Sequence, residues 1–92
     1  MKQETAVSFA QDYILWLIQQ EDRLAGFMNG TGNSVTELRA GAGDPAFLAG
    51  LLDWLLTDEA QILDFAQETQ IPPERVLEAR AALPGGDVPH WT

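Results

Sequence analysis

Residues 44–57, DPAFLAGLLDWLLT, decide the fold class. Asp44 is placed to accept a hydrogen bond from the free amides of a first helical turn, and Pro45 suits the first helical position, where its missing N–H costs nothing. At 100° per residue, Phe47, Leu48, Leu51, Leu52, Trp54, Leu55 and Leu56 cover more than half of the helix circumference. Ala46, Ala49, Gly50 and Asp53 are left on the other side. A helix so widely apolar has to be covered. It is shorter than the roughly 20 apolar residues of a bilayer span, so the cover is expected to be protein.

Outward from this stretch the chain reads as helices throughout. Residues 5–20, TAVSFAQDYILWLIQQ, present Ala6, Ala10, Tyr13, Ile14 and Leu17 as a central stripe, flanked by Phe9, Trp16 and Ile18, with Thr5 as the N-cap. Residues 21–29 carry Leu24, Phe27 and Met28 and end in NGTGN, whose Gly30 and Gly32 accept the left-handed conformation that closes helices. Ser34, with Glu37 three residues later, predicts a capping box over TELRA, stopped by Gly41 and Gly43. After the organising helix, residues 58–70 place Ile62, Leu63, Phe65 and Ala66 inward. The pair Pro72–Pro73 separates that helix from a last one, ERVLEARAAL, with Val76, Leu77, Ala81 and Leu83 facing the core. PGGDVPHWT, residues 84–92, has no period and reads as an extended tail.

A shift of 38 positions lays the second half on the first. Phe9, Trp16, Leu17, Glu21, Phe27 and Thr31 meet identical residues at 47, 54, 55, 59, 65 and 69, and the starts at Ser34 and Pro72 coincide. The expectation is therefore an all-α bundle of five or six helices, in which one domain over residues 1–83 repeats a three-helix unit at about 6–43 and 44–83. Three helices cannot bury both long apolar stripes separately, so Trp16 and Trp54 are expected to meet in a common core. Leu15 falls on the polar side of its helix, and its counterpart is Asp53; Leu15 should then be exposed or in an interface.

The alternation of helices and capped turns, together with the ending PPERVLEARAALPGGD, resembles a small bacterial family known chiefly from alphaproteobacteria, the domain of unknown function 3572. The resemblance spans most of the chain. It implies a small soluble bacterial protein, and since the family has no assigned activity it implies no catalytic or binding residues.

Composition narrows the function classes. With 46% hydrophobic and 21% charged residues the chain is on the folding side of the order/disorder balance. Fourteen carboxylates against five Lys and Arg give a net charge of -9, which repels phosphate backbones and anionic lipid and disfavours nucleic acid as a partner. The absence of cysteine removes thiolate chemistry and fits a reducing compartment, and MKQETAVSFAQDY lacks the basic start and apolar run of a signal peptide, so the expected location is cytoplasmic.

Candidate chemistry is sparse. A hydroxyl nucleophile needs a supported base, and the only histidine, His90, is in the tail; Ser8 sits on a helix flank and Ser34 is a cap. The adjacent acids Glu21–Asp22 and Asp58–Glu59 diverge by 100° instead of converging on a metal ion, and suit helix N-termini. NGTGN lacks the lysine of a phosphate loop. In LDFAQETQIPPERVLEARA the positions of Ala66, Gln70 and Val76, echoed by Met28, Gly32 and Leu38, fit a helix-turn-helix, but Glu74 or Glu37 then stands where DNA contacts are required.

No enzyme activity, cofactor or metal is expected. The favoured reading is a protein-interaction or scaffolding module that binds another protein or itself through its acidic face, through Leu15 or Asp53, or through the tail residues His90 and Trp91, whose indole offers an interface anchor. The alternative is an acidic helix-turn-helix-like protein that binds or mimics DNA.

Overall fold

The structure, a computed structural model, describes residues 1–85. Six helices follow in order: α1 (Gln3–Leu17), α2 (Glu21–Thr31), α3 (Val35–Gly41), α4 (Pro45–Leu56), α5 (Glu59–Thr69) and α6 (Glu74–Ala81). There is no strand among the described residues, and no helix there is long and apolar enough to cross a membrane.

Local signals account for most of the boundaries. The Asp44 carboxylate accepts from the Ala46 amide at 3.0 Å, with Pro45 at the first helical position. Ser34 and Glu37 form both bonds of the capping box, at 3.1 and 2.8 Å. Asp58 caps α5 through the Gln61 amide at 3.1 Å, so Thr57 marks a true break between α4 and α5. Gly32 closes α2 with φ +78°, whereas Gly30 lies inside that helix. One start differs: α1 begins at Gln3 after Lys2, and Thr5 is not its cap. A solvent-exposed first turn needs no side-chain cap when water can serve its amides.

α4 is the most central helix. It packs against α1, α3, α5 and α6, while α1 also meets α2 and α6. The core joins Phe9, Tyr13, Ile14, Trp16 and Leu17 of α1 to Phe27, Leu38, Phe65 and Val76 around Leu48, Leu51, Leu52 and Leu55 of α4. Ala49, placed outward by the sequence reading, is only 3% exposed, because α6 lies across that side of α4 and turns the buried arc toward it. Gly41 is buried directly under the Phe47 ring, where a methyl group would collide with the aromatic carbons.

The two indoles share this core but do not pair with each other. Trp16 stacks on Tyr13 at 6.0 Å and meets the Phe65 ring edge at 5.4 Å. Trp54 meets Phe27 at 5.8 Å and lies over Gly30. The expected tryptophan contact is thus replaced by two tryptophan–phenylalanine contacts. In each, a ring from one half of the chain is seated on the other half.

Two further corrections concern the α5 and α6 faces. Leu63 and Leu77, expected inward, are 52% and 63% exposed. Ala81 is also exposed, and Ala79 takes its place in the core. On α6, Val76 and Ala79, followed just past its end by buried Leu83, share one side of a 3.6-residue helix while Leu77 and Ala81 share another, and only one side can face α1 and α4.

Candidate interaction surfaces

Burial sorts the polar side chains first. Tyr13 has no exposed surface, and its hydroxyl donates to Gln61 Oε1, the one polar side chain buried in the core among the described residues. Gln61 in turn holds its amide against Asp58 at 3.5 Å, so the pair ties the middle of α1 to the capped start of α5. Burial raises the Tyr13 phenol well above its ordinary value, against a smaller opposing pull from the Arg23 guanidinium. The Trp54 indole N–H is buried and meets no acceptor in hydrogen-bond geometry among the described residues.

A second polar set fastens α2 to α5 and α1. Arg23 pairs with Asp64 and lies 5.8 Å from the centre of the Trp16 ring. The Trp16 indole N–H donates to Glu68 Oε1 at 2.9 Å, and Gln20 reaches the same oxygen at 3.5 Å. Each of these groups is taken up by a neighbour, although Gln20 and Arg23 also line a surface cleft with Gln19, Glu21 and Asp22 at the start of α2. They hold helices together.

The sequence-derived candidates fall on separate surfaces. Leu15 is 57% exposed and overhangs a cleft between α1 and α3 floored by Ile14, Ile18, Leu38 and Ala42. Gln11 donates to the Ala42 carbonyl at 2.7 Å across one end of that cleft, and Arg39, unpaired among the described residues, stands at its rim. Asp53 lies elsewhere and is already engaged: Arg80 Nε donates to its carboxylate at 2.6 Å, joining α4 to α6. His90 and Trp91 lie outside the described residues.

Sequence reasoning missed a second cleft. Leu63 and Leu77 stand over an apolar surface between α5 and α6 made by Leu56, Ile62 and Pro73. It continues past Leu63 to Ala66 and Ile71. The charged residues at this cleft are Glu59 and Glu74, and neither has an ion-pair partner among the described residues. Assigning Leu77 and Ala81 to one face, and Val76, Ala79 and Leu83 to another, would have exposed the conflict in the sequence.

Fold and surface together define an all-α protein with six helices among the described residues and apolar clefts between them. The chain belongs to the family described as protein of unknown function (DUF3572), whose profile matches residues 3–86. No curated protein and no solved structure matches it.

Proposed function

We propose that this domain is a non-enzymatic, cytoplasmic protein-interaction or scaffolding module that engages its partner through exposed apolar side chains. One observation carries the reading: Leu15, Leu63 and Leu77 are each more than half exposed while lining apolar clefts. Single exposed leucines are ordinary, but leucines grouped over apolar floors are what interfaces bury. The buried hydroxyl and amide of Tyr13 and Gln61 are spent on each other, and the Trp16 indole on Glu68.

The test is capture from lysate by the wild-type domain beside Leu15→Asp, Leu63→Asp and Leu77→Asp. A protein retained by wild type and lost with at least one of the three supports the module. Identical capture by all four, with a sharply monomeric wild type, would overturn it.

We propose also that the two halves are copies of one three-helix unit. A shift of 38 carries α2, Glu21–Thr31, onto α5, Glu59–Thr69. It also relates the hydroxyl bonds Thr31 to Phe27 and Thr69 to Phe65, and the left-handed caps Gly32 and Gln70. Trp16 on Phe65 and Trp54 on Phe27 are the same contact with the halves exchanged.

The helix-turn-helix alternative gains little support from the α5–α6 pair. α6 opens on exposed Glu74, a carboxylate at the helix start where a DNA reader needs cations. Electrophoretic mobility at low salt separates the two readings.

A further inference from the structure

We infer that the α5–α6 cleft is a docking groove for a cationic amphipathic helix of a partner protein. The inference rests on reading the domain as an interaction module and adds which face binds and what it binds. The apolar part of the site is built from α5 and α6, with Leu56 from the end of α4 in its floor. Leu63 projects from α5 and Leu77 from α6, both more than half exposed, above Leu56, Ile62 and Pro73. This is the geometry that accepts aliphatic residues spaced at i, i+3, i+4 and i+7 on a partner helix.

Charge selects the occupant. Glu59 and Glu74 are the charged residues at the groove, both are exposed, and neither has an ion-pair partner among the described residues. The nearest cation along α6, Arg75, is engaged by Glu78 at 2.9 Å. A second copy of this chain, at net charge -9, would bring further carboxylates to carboxylates. Lysine or arginine beside the apolar stripe of a partner helix meets them with opposite sign. The α1–α3 cleft differs in this respect, since the charged residue lining it is Arg39. The two clefts are therefore set for different partners, and the basic helix belongs on α5–α6.

The experiment titrates the full chain with a fluorescent synthetic helix bearing leucine at i, i+3, i+4 and i+7 and lysine elsewhere, beside its glutamate-for-lysine counterpart. The lysine peptide is expected to bind, and the glutamate peptide not. Binding should weaken about tenfold or more in Leu77→Asp and in the Glu59→Gln/Glu74→Gln double variant, should fall as salt rises, and should be unchanged in Leu15→Asp. Both leucines are exposed, so the variants are expected to keep the wild-type far-UV circular dichroism. Glu59→Gln/Glu74→Gln, which leaves the apolar floor intact, provides the test if Leu77→Asp does not fold. Equal binding of both peptides, equal loss in Leu15→Asp, or self-association abolished by Leu77→Asp would overturn the proposal. Lysate capture lost in Leu15→Asp alone would overturn the groove assignment while leaving the module intact. Capture indifferent to all three leucines would remove the module itself.

Discussion

Tyr13 is the only tyrosine of the chain and has no exposed surface, so its hydroxyl governs a single buried bond, to Gln61. Removing that hydroxyl leaves the Gln61 oxygen buried without its donor. Tyr13→Phe should therefore lower stability by about 1–3 kcal/mol. The same residue sets a pH dependence of definite sign. Burial raises the folded-state phenol above its unfolded value of about 10, so the unfolded chain releases the proton first. The contribution is fully present below about pH 10 and is lost as pH rises beyond it. Denaturant midpoints measured from about pH 8 to about pH 11 should fall at the alkaline end for wild type, and Tyr13→Phe should lack this component of the fall. Tyr13 was legible as an inward residue from its place in the α1 stripe. Its partner was not, because glutamine carries no apolar signal and becomes buried only when another helix supplies a donor.

Among the helices, α3 depends most on its ends. It has only seven residues, and its start is held by the reciprocal bonds of Ser34 and Glu37. Short helices gain little from propagation, so the cap is a large share of what holds α3 in place. Ser34→Ala should cost about 1 kcal/mol, within a range of roughly 0.5–2, read as a shift in the unfolding midpoint. Because α3 forms one wall of the Leu15 cleft, amide exchange in residues 35–41 should rise in the same variant. This capping box could be read from the spacing S-x-x-E alone, as could the caps at Asp44 and Asp58 once the apolar runs behind them were recognised. The facing of α5 and α6 could not. Both carry apolar residues on more than one side, and periodicity alone does not say which side a neighbouring helix will cover.

For the whole molecule the governing quantity is charge. The chain carries fourteen carboxylates against five Lys and Arg, and among the described residues three ion pairs form, Arg23–Asp64, Arg75–Glu78 and Arg80–Asp53. Self-repulsion in the folded state exceeds that in the expanded chain, and salt screens it. The melting temperature should rise between about 0.01 M and about 0.15 M sodium chloride, and a flat or falling curve would contradict this account. The Asp53–Arg80 pair works in the opposite direction but weakly, since the Asp53 side chain is 56% exposed and such pairs are worth about 1 kcal/mol or less.

The helices, the caps at Ser34 and Asp44 and the all-α class followed from residue order, because capping and amphipathic period are local properties, decided within a turn or two of the chain; Thr5, expected to cap α1, lies inside it. The exposure of Leu15 belonged with them, being a matter of angle around one helix. Which rings met, and which leucines were left uncovered, depended on how the helices were set against each other. Trp16 finds Phe65, Trp54 finds Phe27, and Leu63 and Leu77 remain outside because the single core has room for one face of each helix. Burial is a competition among all the apolar faces for a limited interior, and its outcome is written only in the packing.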